Sequence, residues 1–436
     1  MKTHVALLSL LALSLVSQNG FSDGDGYVVT GRGPHHRVWS KVKIQTNDAG
    51  VVTAITNVAY TEIASGLNVQ DTNGLWVPSQ EDIEILDDGT AVARHGQHQV
   101  RFPADIYSGE VVLNMPDGHE LRSRPAGLAY FDGSNSVLIA QLTNSIGAVL
   151  SNTVVFSNCL VGAGVTASVR FTYTKSSFES DVILADAPLP PEQFGLSSAK
   201  CKIIALTEFL SPPDPVVSVN TNVPDNDEID WHAMRLAQGR AFTIGAESGA
   251  VFTTHTWELL DGRKILVEHV PMRLLQPELD KLQQHHASIT APSPRRMAAG
   301  KIELPPRRQA RINETHRLTR LANNWVFSGL VIDYVTINGT LGPFTFAGDS
   351  TYFCSGNVYL STFVNTTFED GTVIKYATNT QIQIPINAQV TWLGAPYRPV
   401  VLTSKDDTSV GSSISGATGS VRACFKNGQF ILTQAV

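Results

Sequence analysis

Thr351-Tyr-Phe-Cys-Ser-Gly-Asn-Val-Tyr-Leu360 and Thr367-Phe-Glu-Asp-Gly-Thr-Val-Ile-Lys-Tyr-Ala377 read as short alternating strands broken by Gly turns. Side chains alternate across a strand, so each stretch can bury one row and expose the other. Repeated along a chain, such stretches are the signature of a parallel β-helix, whose rungs turn flat, repetitive faces to solvent. Val358 with Leu360, Thr372 with Ile374, and Val390 with Trp392 recur at intervals of roughly 14 to 18 residues, somewhat short of a usual solenoid turn. Residues 325–436 are therefore expected to form a short parallel β-helix. A solenoid needs its open end covered. Phe430-Ile-Leu-Thr-Gln-Ala-Val436 is strand-like, so either it caps the stack or another molecule does.

Upstream, from Val38 to about Phe209, period-two runs alternate with turn signals at Asn47-Asp-Ala-Gly50, Asp71-Thr-Asn-Gly74, Asp87-Asp-Gly89, Pro116-Asp-Gly118 and Asp132-Gly133. This spacing suits hairpin-linked strands and predicts a β-sandwich-like domain over residues 23–215. Val169, Phe171 and Tyr173 share one face of a strand and should be core. Residues 216–290 read as a mixed α/β connector, with a short helix expected at Trp231–Gln238, a strand at Arg263–Val267 and a helix at Pro277–Leu282 with proline in its first turn. Residues 291–324 carry Arg295, Arg296, Lys301, Arg307, Arg308, Arg311, Arg317 and Arg320 among four prolines. So polar a segment cannot bury enough to fold alone, and it is expected to be a solvated linker or an electrostatic tether to acidic polymer. The expected fold class is mainly β throughout.

The first residues resemble an export signal: Lys2, an apolar run from Val5 to Val16 and a small-x-small site at Gly20-Phe-Ser22 define a 1–22 signal peptide. That run is too short to span a bilayer, and no later segment is long enough, so no membrane span is expected in the mature chain. The net charge of -7 gives no general attraction for nucleic acid. Four cysteines remain. An oxidising compartment would permit Cys159 with Cys201 and Cys354 with Cys424, each pair closing a loop within one expected module, while the alternative is four small buried hydrophobes.

Catalytic and metal motifs are sparse. His35-His36, His95 with His98, and His285-His286 have spacings that point to opposite faces of a strand, and His119-Glu120 lacks a second histidine at position 123, so no metal site and no cofactor are expected. No Gly-x-Ser-x-Gly elbow or phosphate-binding loop occurs. The enzymatic candidate is the pair Asp406 and Asp407, because sugar-cleaving β-helices use clustered carboxylates as acid and base or to hold calcium. Polar turns also favour Asp-Asp. Asn313, Asn338 and Asn365 head glycosylation triplets, which threonine-rich strands generate by chance.

Tyr60-Thr-Glu-Ile-Ala-Ser-Gly-Leu-Asn68, Gly96-Gln-His-Gln-Val100, Pro116-Asp-Gly-His-Glu-Leu-Arg-Ser123 and Gly239-Arg-Ala-Phe-Thr-Ile-Gly245 resemble an N-terminal region of large secreted bacterial surface proteins of the Rhs/YD-repeat-associated type. Thr367–Tyr376 and Ala395–Asp407 resemble the right-handed β-helix that follows it in such proteins. The resemblance implies module order and an extracellular, cell-surface or periplasmic location, and it carries no catalytic residues. The function expected is non-catalytic adhesion, display or scaffolding, with a polysaccharide or cell-surface polymer as partner. The alternatives are a polysaccharide lyase or hydrolase on the β-helix and a chain that folds only with a partner.

Overall fold

The computed structural model describes residues 26–46, 50, 52–162, 164–219, 223–246, 250–282, 296–297, 300–306, 316–322 and 327–419. The expected signal peptide, His285-His286, Asn313 and Cys424 lie outside them. The protein is mainly β, with one α-helix among the described residues, Met272–Leu279. It divides into two units: Gln80–Gly339, and a second built from both flanks, the residues up to Ser79 together with those from Thr340 onward. These boundaries correct the expected ones at 215, 290 and 324. The strand Leu330–Gly339 lies beyond the expected linker yet pairs along its length with Ser177–Leu184, inside the central unit.

The central unit is one hydrogen-bonded network of mostly antiparallel strands. Glu120–Phe131 pairs with Lys202–Phe209, which pairs in turn with Arg263–Pro271. In Val165–Tyr173 the alternation is complete: Val165, Ala167, Val169, Phe171 and Tyr173 are buried and the residues between them are half-buried. Phe102, Phe156, Phe171 and Phe178 form an aromatic cluster in this core, with ring centroids 5.7 to 6.2 Å apart. Turn chemistry holds the hairpins in register. Asp132 Oδ1, for example, accepts the amides of Ser134 and Asn135 at 2.9 and 2.6 Å.

Three expectations fail here for physical reasons. Trp231–Gln238 is not a helix: Met234–Leu236 is a strand, reached by a tight turn in which His232 donates its amide to Asp230 Oδ1 at φ 68°. The helix expected at Pro277 begins at Met272, directly after Pro271, and Pro277 falls near its end. The basic linker, where described, is not solvated chain. Arg296–Met297 pairs with Ser136–Val137, Thr319–Arg320 pairs with Ala148–Val149, and Leu318 is buried. Backbone groups on a sheet edge need partners whatever the side chains are, and a charged segment supplies them as well as an apolar one.

The second unit begins as an antiparallel meander, Tyr27–Gly33, His36–Thr46 and Val52–Ile63. Thr351–Cys354 adds parallel to Val52–Ile63, followed in parallel by Val373–Tyr376 and Val401–Ser404. Two further sets stack the same way: Phe344–Phe346, Asn365–Phe368 and Gln389–Trp392, and Val358–Tyr359 with Ile382–Gln383. The chain thus visits three parallel sheets in turn, and the meander covers the first strand of one of them. Equivalent positions lie 22 residues apart from Thr351 to Val373 and 28 from Val373 to Val401. The expected interval of 14 to 18 residues joined residues of different sheets, since Val358, Ile374 and Val390 each belong to a different one.

The core of this unit is a ladder. Phe346, Phe368 and Trp392 occupy matched positions and stack face to face, with centroids 4.4 and 4.1 Å apart and rings within 10° of parallel. Ile63, Tyr352, Cys354, Val358, Leu360 and Ile374 fill the remaining interior. No disulfide joins Cys159 to Cys201, and Cys354 is a buried thiol whose pKa burial drives upward. Burial likewise pushes the Cys201 thiol up to about 12, so both behave as small core groups.

Candidate functional site

Two outer faces of the parallel stack differ in what covers them. On the sheet of Thr351–Cys354 and its parallel neighbours, Lys375 occupies an outward position and is nonetheless fully buried. Its ammonium donates to the carbonyls of Asp407 and Ser412 at 2.6 and 2.7 Å, pinning the chain after Ser404 across this face. Desolvation lowers the Lys375 pKa, with the charge of Asp407 opposing it. Farther along, Ile414 packs on Tyr27 and Tyr60, and the Tyr27 hydroxyl donates to Ser413 O at 3.3 Å. This face is occupied by the protein itself.

Asp406 and Asp407 belong to that strap. The Asp407 carboxylate accepts Thr403 Oγ1 at 2.7 Å, the Ser409 amide at 2.8 Å and Ser409 Oγ at 2.5 Å. The Ser409 hydroxyl first, then Thr403 and the Ser409 amide, hold its pKa below the usual carboxylate range. Asp406 Oδ1 accepts the Thr418 amide at 3.0 Å. A glycosidic acid needs a raised pKa and a second carboxylate open to water. Asp407 has the opposite shift, and both side chains are engaged in closing their own loop.

The sheet of Phe344–Phe346, Asn365–Phe368 and Gln389–Trp392 has no such strap among the described residues. Its inward positions carry the aromatic ladder and the buried Thr366. Its outward positions are Thr345, Thr367 and Thr391 in one matched row, with Asn365 beside Gln389. Parallel strands stand about 4.8 Å apart, so the three hydroxyls form a straight row at that repeat. Asn365 and Thr391 are hydrogen-bonded through their side chains at 3.0 and 3.1 Å, which fixes both rotamers. Preset polar groups on a flat face lose little freedom when they bind.

At the neighbouring corner, Arg398 bridges two successive rungs, with Nη2 to Asp349 Oδ2 at 2.8 Å and Nε to Asp370 Oδ2 at 2.9 Å. Thr372 Oγ1 ties the same corner to the carbonyl of Phe346 at 2.9 Å. The turn after it projects Tyr397 wholly into solvent at φ 71°, a backbone region that non-glycine residues seldom occupy. Glu369-Asp370-Gly371 is a corner turn.

The histidines are dispersed. His98 is buried, with Nε2 3.1 Å from Ser177 O, and burial pushes its pKa down to about 4. His95 lies against Glu84 at 2.9 Å on the surface, and His35 Nδ1 accepts the Gly66 amide at 2.9 Å. Among the described residues no three His, Cys, Asp or Glu side chains converge as metal ligands, and no helix is long and apolar enough to cross a membrane. Asn338 is buried on a strand, so its glycosylation triplet is inaccessible in the folded protein. The threonine row went unnoticed in the sequence, although Thr345, Thr367 and Thr391 each immediately precede an aromatic residue. No family model, curated protein or solved structure matches the chain.

Proposed function

We propose that the protein is a secreted or cell-surface, non-catalytic adhesion, display or scaffolding protein that holds a polysaccharide or cell-surface polymer along the threonine face of a short right-handed parallel β-helix. The observation that carries this reading is the contrast between faces: one is strapped by residues 405–416, and the other presents a preorganised row of hydroxyls and amides. Hydroxyls and side-chain amides both donate and accept, which matches the alternating needs of sugar hydroxyls. A polymer also makes many weak contacts at once, suiting a repeated site better than a pocket. Export by the N-terminal signal and kinship with the Rhs/YD-repeat-associated surface proteins are part of the same proposal, resting on the sequence runs quoted above.

The lyase or hydrolase alternative is less well supported, because the Asp406 and Asp407 carboxylates are consumed by Thr403, Ser409 and Thr418. A glycan-array screen of the full chain, with mass spectrometry of any products, tests the reading. Retention of a polysaccharide without cleavage supports it. Cleavage that disappears in Asp406→Asn/Asp407→Asn would replace it with the catalytic one.

A further inference from the structure

The threonine face is free of charge well beyond its outward rows. Residues 341–347, 361–368 and 385–394, which supply Phe344–Phe346, Asn365–Phe368, Gln389–Trp392 and the turns beside them, contain no Asp, Glu, Lys, Arg or His. Charged residues make up 16% of the chain, so three successive rungs without one depart from its general composition. Thr345, Asn365 and Gln389 are exposed on this face, and Thr367 and Thr391 are half-buried. An exposed sheet face ordinarily carries ions of both signs. This one offers hydroxyls, amides and methyl groups alone.

The first charges met after each of these strands are Asp349, then Glu369 with Asp370, then Arg398. They belong to one corner, and they are already engaged. Arg398 is shared between Asp349 Oδ2 and Asp370 Oδ2 at 2.8 and 2.9 Å, and Glu369 Oε2 accepts the Gly348 amide at 2.8 Å. Three carboxylates against one guanidinium leave this corner acidic on balance. Asp370 is three residues from Thr367, a reach of at most about 11 Å, comparable with the Debye length of about 10 Å at 0.1 M salt. An anionic polymer on the threonine row would therefore feel this corner and meet no cation on the face itself. A cationic one would find the nearby carboxylates spent. Either would lose water from its charges without gaining a counter-ion, which is costly.

We propose that the polymer held on this face is an uncharged polysaccharide in an extended conformation, lying across the strands with about one sugar ring to each rung. This rests on the carbohydrate reading above and narrows it to one chemical class. Matched threonines stand about 4.8 Å apart, close to the length of one pyranose ring in an extended chain, so Thr345, Thr367 and Thr391 span about 10 Å and meet three consecutive sugars. A coiled polysaccharide would fall out of step with the rungs. Each threonine sets a hydroxyl beside a methyl group, and a sugar sets hydroxyls beside C–H edges in the same way. The paired side chains of Asn365 and Thr391 hold that pattern in place before the ligand arrives.

Affinity electrophoresis of the full chain through gels containing neutral β-glucan, β-mannan, polygalacturonate, dextran sulfate or chitosan tests the class. Retardation should be confined to the neutral chains and change less than about twofold between 0.01 and 1 M salt, over which the screening length falls from about 30 to 3 Å. Oligomers of the retained chain should gain at least tenfold in affinity from two sugars to four. Thr367→Lys puts a cation in the middle of the row, and should weaken neutral binding at least tenfold while making polygalacturonate a salt-sensitive ligand. Thr345→Lys, at the more exposed position, should do the same if the ladder peptides of the first variant lose protection from exchange. Stronger retardation by a charged polymer than by either neutral one, strong salt dependence, equal affinity for two and four sugars, or unaltered binding in both lysine variants would overturn the proposal and leave a polysaccharide partner standing. No retardation by any polymer, neutral or charged, would overturn the carbohydrate reading with it.

Discussion

Replacing Phe368 with alanine removes the middle ring of the Phe346–Phe368–Trp392 ladder, a side chain 1% exposed and stacked on both faces at 4.4 and 4.1 Å. Deleting a buried phenylalanine costs about 3–5 kcal/mol through lost transfer energy and the cavity left behind. Losing two stacked partners adds roughly 0.5–1.5 kcal/mol for each pair, part of it already counted in the burial, so the total is about 4–6 kcal/mol. Phe368→Leu keeps most of the volume and forfeits mainly the stacking, for about 1–2 kcal/mol. The two units need not unfold together, so a global midpoint is a poor readout. Urea titration followed by hydrogen exchange of peptides from residues 344–392 isolates the ladder. A loss below about 1 kcal/mol for alanine, or equal losses for alanine and leucine, would refute the claim that ring stacking holds these rungs together.

Other outcomes follow from buried charges. The neutral form of His98, with its pKa pushed from 6.5 to about 4 by burial, leaves the unfolded chain binding the extra proton between those values. Its contribution is therefore present above pH 6.5 and is lost as the pH falls toward 4, by about 1.4 kcal/mol per unit and roughly 3 kcal/mol in all. Chemical denaturation at pH 7 and pH 4.5 should show a smaller acid loss in His98→Leu than in the wild type. Glu208 accepts Arg263 Nη2 and Arg124 Nη2, both at 2.8 Å, with all three side chains largely buried. Glu208→Ala strands two guanidinium groups and should cost about 3–5 kcal/mol by denaturation of the central unit, while an unchanged midpoint would contradict the pairing. Asp407→Ala should loosen the strap by about 1–3 kcal/mol, seen as faster exchange over residues 405–416, while leaving polymer retention unchanged.

The sequence made the β content, most hairpin turns and the buried row Val169, Phe171 and Tyr173 legible, because alternation and Asp-Gly turns are local signals. Gln99–Phe102 and Val111–Asn114 are strands in which every second residue is buried. What it concealed is nonlocal. Nothing in Val52–Ile63 announces that its parallel neighbour is Thr351–Cys354, from the other end of the chain, or that residues 80–339 are inserted between the two halves of one unit. The repeat interval was misjudged for a subtler reason. Hydrophobic residues recur on every sheet of the stack, so apolar spacing measures the distance between faces as readily as the distance between rungs. The Thr-aromatic pairs at 345–346, 367–368 and 391–392 mark one face only and give the true interval. The basic segment misled because composition reports burial of side chains and says little about backbone pairing at an edge. For the site, Asp406 and Asp407 stood out as paired carboxylates, but only their hydrogen bonds identify them as loop closures.

The most direct test is calorimetric titration of the full chain with the polysaccharide selected by the glycan array, beside the triple variant Asn365→Ala/Thr367→Ala/Thr391→Ala and the pair Asp406→Asn/Asp407→Asn. Binding along the threonine face predicts at least a tenfold loss of affinity in the triple variant and none in the Asp pair. Full affinity in the triple variant, with its ladder peptides still protected from exchange, would contradict it.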